Sequence, residues 1–106
     1  MRTVPLVTIA HARSGDTGNS CNVGVIARKP EYYPILVEQV TADRVREHFR
    51  GWVRGPVTRY EMPAIQALNF VMEDALGGGA TASLRADNEG KTMGGAMLRL
   101  LVDLPE

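Results

Sequence analysis

Cysteine, histidine and lysine are scarce in this 106-residue chain, and each scarcity excludes something. One cysteine, Cys21, rules out an intramolecular disulfide, and with only His11 and His48 beside it there are too few soft ligands for a structural zinc cage. Lysine occurs only at positions 29 and 91, against ten arginines, whose rigid fork suits carboxylate or phosphate recognition and interface pairing. Twelve basic residues balance twelve acidic ones, which removes any chain-wide attraction to nucleic acid or anionic lipid. The six aromatic residues are not interleaved with a basic stripe, so there is no platform for stacking single-stranded bases. No apolar run approaches the roughly 20 residues of a membrane-spanning helix. Neither nucleic acid nor membrane is an expected partner, and no cofactor is expected.

What is present is ordinary globular composition, 44% apolar and 23% charged at 11.6 kDa, enough for a single domain over residues 1–106. Folding at this size buries roughly 65% of the unfolded surface, which gives a thin core. Residues 1–30 carry four basic side chains and one acidic, whereas residues 61–106 carry three and seven. Such polarity favours association. The apolar stretch after Arg2 imitates a secretion signal but is too short and is interrupted by Thr8. A cytoplasmic location is therefore expected.

Residues 4–11 read as one strand buried on both faces, residues 13–22 as loop, and residues 22–28 as a second strand. Pro34 suits a first helical turn, and Thr41 suits the cap between two helical pieces ending near Gly51 and Gly55-Pro56. Residues 57–61 form a short strand closed by Pro63. The spacing of Ile65, Leu68, Met72, Ala75 and Leu76 predicts a helix, stopped by Gly77-Gly78-Gly79. Residues 80–85 alternate as a strand, 87–90 turn, and 98–104 make the last strand, with Gly94-Gly95 leaving 91–97 open. The order is that of an α+β sandwich, a mostly antiparallel sheet with helices on one face.

The densest chemistry lies in residues 11–22. Gly15 and Gly18 permit a backbone nest for an anion, and Arg13 adds a forked cation. Asp16 and His11 are the candidate pair for proton transfer, while Ser14, Asn19 and Asn22 offer hydrogen bonds to a ligand or partner. Asx-type turns account for the same polar residues without a ligand. Cys21 is expected to pack rather than to react, and His48 to be solvated on a helix surface. Arg59 and Glu61 share strand parity and should pair; Asn69 needs partners or a ligand. Arg59 and Asn69 join the candidate binding residues. No metal-binding set is expected.

Several blocks carry a resemblance: His11-Ala-Arg-Ser-Gly-Asp-Thr-Gly-Asn19, Asn22-Val-Gly-Val-Ile-Ala-Arg28, Arg59-Tyr-Glu-Met-Pro63, Ala67-Leu-Asn-Phe-Val71, Leu76-Gly-Gly-Gly79, and Ser83-Leu-Arg-Ala-Asp87 with Gly90-Lys91. In this order they resemble the carboxyl-terminal ferredoxin-like domain of the acyclic terpene utilisation AtuA family. Thr17 stands where that family commonly has lysine, and Ala64 where asparagine is common. The resemblance implies a ferredoxin-like fold and a stand-alone small subunit or accessory module. It further implies catabolism of acyclic terpenoids or related branched acyl thioesters. On this reading the chain forms a homo-oligomer or joins a separately encoded large AtuA-like subunit, and a small acyl ligand is held at the interface. The alternatives are a free-standing lyase, hydratase or thioesterase using Asp16 and His11, and a ligand-binding regulatory module.

Overall fold

The computed structural model describes residues 2–17, 20–50, 53–73 and 91–105. Strand β1 (Arg2–Pro5) leads through a 3-10 turn (Leu6–Thr8) into β2 (Ala10–Thr17) and β3 (Ser20–Ala27). A second 3-10 turn (Pro30–Tyr32) opens helix α1 (Tyr33–Gln39), followed by α2 (Ala42–His48). Strands β4 (Val57–Met62) and β5 (Ala67–Met72) are joined by a third 3-10 turn (Pro63–Ile65). Helix α3 (Lys91–Met97) and strand β6 (Leu101–Leu104) come last. Among the described residues the strands form a four-stranded sheet, β2-β3-β5-β4, and a two-stranded one, β1-β6, and all pairings are antiparallel.

Alternation decides which face of the larger sheet is covered. Val23 and Val25 of β3 stand opposite Phe70 and Leu68 of β5, and all four are fully buried. They share one core with Leu36 of α1, Val45 of α2, Met97 of α3, and Val102 and Leu104 of β6. The α+β arrangement with helices on one face therefore holds. Thr41 caps α2 as expected, its Oγ1 accepting from the Arg44 amide at 3.1 Å. Pro34 lies in the first turn of α1. The Gln39 amide substitutes for a strand partner at β6: its Nε2 donates to the Asp103 carbonyl and its Oε1 accepts from the Asp103 amide, both at 2.7 Å.

Four expectations are corrected. The supposed single strand 4–11 breaks at Leu6–Thr8, because the chain there passes from the small sheet to the large one. The supposed loop 13–22 is mostly β2 and β3, paired from Ala10↔Ala27 to Thr17↔Ser20. Its polarity reflects an edge strand whose outer face meets water, since backbone pairing does not require apolar side chains. The supposed helix from residue 64 is a 3-10 turn and β5. Leu68 and Met72 satisfy both a helical and an alternating period; Phe70, equally buried, satisfies only the second. The last strand begins only at Leu101, because α3 runs to Met97 and the amides of Leu98, Arg99 and Leu100 turn back onto the Gly94, Ala96 and Met97 carbonyls. The glycine cap at 77–79, the strand at 80–85 and the turn at 87–90 lie outside the described residues.

Helix α3 lies close on β2: a Cβ at Gly94 would come within 3.1 Å of Ser14 Oγ. Gly95 faces open space, with nothing within 4 Å of the same added atom. Gly95→Ala is therefore expected to raise stability by up to ~1 kcal/mol, through helix propensity alone. Thermal melting checks this, and a loss of stability would count against a helical Gly95.

Candidate open-face site

The other face of the large sheet has no helix on it among the described residues. Register places Arg13, Gly24, Asn69 and Tyr60 in one row across the four strands. On one side of it runs Gly15, Asn22, Val71 and Thr58, and on the other His11, Ile26, Ala67 and Met62. Of these twelve residues only Ala67 is buried. Tyr60 and Met62 are 54% and 42% exposed, and Ile65, in the adjoining turn, is 58% exposed.

Small residues in the middle of this face leave a depression of about 290 Å³, at the small end of ligand pockets. Its polar end is formed by Arg13, Asn22 and Asn69, its apolar end by Ile26, Met62 and Ile65. A Cβ built on Gly15 would meet Asn22 Oδ1 at 3.2 Å, and one on Gly24 would lie 4.0 Å from Asn69 Oδ1. Both amides thus lean over the floor. The apolar end is shaped by Gln66, whose φ of 56° and ψ of 48° put a non-glycine residue in the left-handed region. Its N–H donates to the Pro63 carbonyl and its own carbonyl accepts from the Ala27 amide at 3.0 Å, which fixes the turn against β3.

The structure gathers some of the expected site residues and separates others. Arg13, Ser14, Gly15, Asn22 and Asn69 all line the depression. Arg13 and Ser14 also border a second groove, about 370 Å³, between β2 and Gly94-Gly95 of α3. His11 is exposed on the open face, in the row of Ile26 and Met62. Asp16 lies five residues further along the same strand, at the opposite parity and in register with Cys21. Five strand residues span roughly 17 Å along the backbone, so β2 itself does not bring the positions of His11 and Asp16 together. The anion nest at Gly15 is corrected too: its φ is not in the left-handed region, and it sits in a regular strand. Gly18 and Asn19 lie outside the described residues. Cys21 is 1% exposed and packs in the core as expected.

Arg59 does not join Asn69. At the opposite parity of β4, it donates from Nη1 to the Val37 and Val40 carbonyls at 2.8 and 3.0 Å. Its Nη2 pairs with Glu61 at 3.1 Å, as strand parity implied. His48, expected to be only solvated, donates from Nε2 to the Ala96 carbonyl at 2.6 Å and ties α2 to the end of α3. Arg44 similarly reaches the Gln39 and Leu101 carbonyls. These side chains hold the fold together.

Sequence reasoning missed Gly24, Ile26, Met62, Ile65 and Ala67 as lining residues. Gly24 carried a usable signal, since a glycine between Val23 and Val25 interrupts a buried strand where no turn follows. Among the described residues no group of three His, Cys, Asp or Glu could hold a metal, and no helix is long and apolar enough to cross a membrane.

The fold and this face define an α+β domain whose large sheet is covered on one side and, among the described residues, open on the other. The family model of the AtuA ferredoxin-like domain matches residues 4–103, and the chain belongs to that family. Neither the curated proteins nor the solved structures include a match to it.

Proposed function

We propose that this chain is a small subunit or accessory module of an AtuA-type system acting on acyclic terpenoids or related branched acyl compounds, and that its open sheet face is completed by a second copy of the chain. Family membership supports the first half. The second half rests on one observation: Tyr60, Met62 and Ile65 are exposed together on a sheet face that no described helix covers. Contiguous apolar surface of this kind marks association sites. A two-fold arrangement would lay identical patches on each other and close over the polar residues between them. The separation of His11 from Asp16 weighs against a free-standing acid–base enzyme.

Light scattering over micromolar concentrations tests the assembly. A dimer or larger species is expected, with the double variant Met62→Glu and Ile65→Glu shifted towards monomer while still folded. A wild-type monomer throughout that range would overturn the reading.

A further inference from the structure

We propose that the depression over Gly24 is a binding site for a small monocarboxylate with an apolar tail, an inference that rests on the open face being the functional one. Gly24 is a residue the fold does not need. It lies inside β3, flanked by β2 and β5, where glycine weakens a strand. Its φ is outside the left-handed region, so the backbone does not require it. Sterics do not require it either, because an added Cβ would meet only the Arg13 carbonyl at 3.9 Å and Asn69 Oδ1 at 4.0 Å, both ordinary contacts. What a side chain here would fill is the depression itself. Ala67, in the neighbouring row of β5, keeps the floor low beside it.

The walls specify the occupant. Among the described residues Arg13 is the only charged side chain lining the depression, and its guanidinium forms no ion pair or hydrogen bond with them. The side-chain amides of Asn22 and Asn69 stand on the same side with Oδ1 over Gly15 and Gly24, and a half-turn of each amide presents its NH2 donors there; neither has a hydrogen-bond partner among the described residues. One guanidinium fork and two amides match the charge and planar shape of a single carboxylate. A phosphate, at ≈ −1.5 to −2, would be left with uncompensated charge. The row carrying Ile26, Ala67 and Met62 lies two residues along the strands, roughly 7 Å away, with Ile65 beyond it. A head at Arg13 therefore directs a short chain of carbons towards Met62 and Ile65.

Hexanoate is the probe, titrated into the isotope-labelled full chain and followed by NMR, with acetate, hexanol and inorganic phosphate as comparisons. Saturable shifts are expected at Arg13, Gly24 and Asn69, stronger for hexanoate than for any of the other three. Arg13→Gln should weaken binding at least about fivefold, as loss of a charge-assisted bond implies. Gly24→Val should abolish binding with the melting temperature at or above that of the wild type; Gly24→Ala, a smaller change, should weaken it in the same direction. Absence of saturable shifts, equal response to hexanol or phosphate, or undiminished binding by folded Gly24→Ala would each overturn the proposal. The oligomer measurement is independent. A monomer that binds hexanoate sinks the assembly and leaves this site standing, and a dimer that ignores hexanoate does the reverse.

Discussion

Arg59→Ala is expected to lower the unfolding free energy by roughly 2–4 kcal/mol, because it strips two carbonyls of a charged donor. The Val37 and Val40 carbonyls belong to the end of α1, where a helix leaves its last acceptors without intrahelical partners. Val40 is buried, so water does not readily replace the guanidinium. A cation at a helix C-terminus also meets the negative end of the helix dipole, although α1 is short. The Glu61 partner contributes less, since its side chain is 52% exposed and surface pairs add little. Glu61→Gln should therefore change stability by no more than about 0.5 kcal/mol. Denaturant unfolding of both variants separates the two contributions. If Arg59→Ala costs no more than Glu61→Gln, the carbonyl contacts do not hold α1 to the sheet.

This residue also shows where reading the chain reaches its limit. Parity put Arg59 and Glu61 on one face, and that much is local. Which face it was depended on β5, and β5 was hidden because Leu68 and Met72 suit a helix as well as a strand. With residues 64–76 taken as helix, Asn69 had no strand to stand on and Arg59 no reason to lie on the opposite side from it. The capping contacts at Thr41 and Pro34 were legible because they depend on neighbours in the chain alone. The polar residues from Arg13 to Asn22 stood out in the sequence, but as a loop around a glycine nest. Cross-strand register, a long-range property, puts Arg13, Gly15 and Asn22 in the outward rows of a sheet and Asp16 at the other parity. Gly24 stayed unnoticed for the same reason: its meaning depends on Asn69 and Ala67, more than forty residues away in sequence.

Gly55→Ala is expected to destabilise the protein by roughly 2–3 kcal/mol, the range for forcing extra atoms into a closely packed contact. A Cβ on Gly55 would fall 2.6 Å from the Glu73 carbonyl oxygen and 2.9 Å from its carbon. Both are backbone atoms, so no side-chain rotation relieves the clash. The same Glu73 carbonyl accepts the Gly55 amide at 3.1 Å, and the Glu73 amide donates to Pro56 at 3.1 Å. These bonds extend the pairing of β4 with β5 beyond Val57 and Met72, where the chain arrives from α2. Pushing Glu73 away would break that extension and loosen the end of β5 next to buried Met72. Here glycine is required by the approach of another strand, in contrast to Gly24 and Gly95, where a methyl group fits. Calorimetry on Gly55→Ala, with Gly95→Ala alongside, tests the distinction. Amide exchange at Glu73 should accelerate in the first variant only. A Gly55→Ala protein as stable as the wild type, with Glu73 still protected, would show that β4 and β5 do not close on each other at this point.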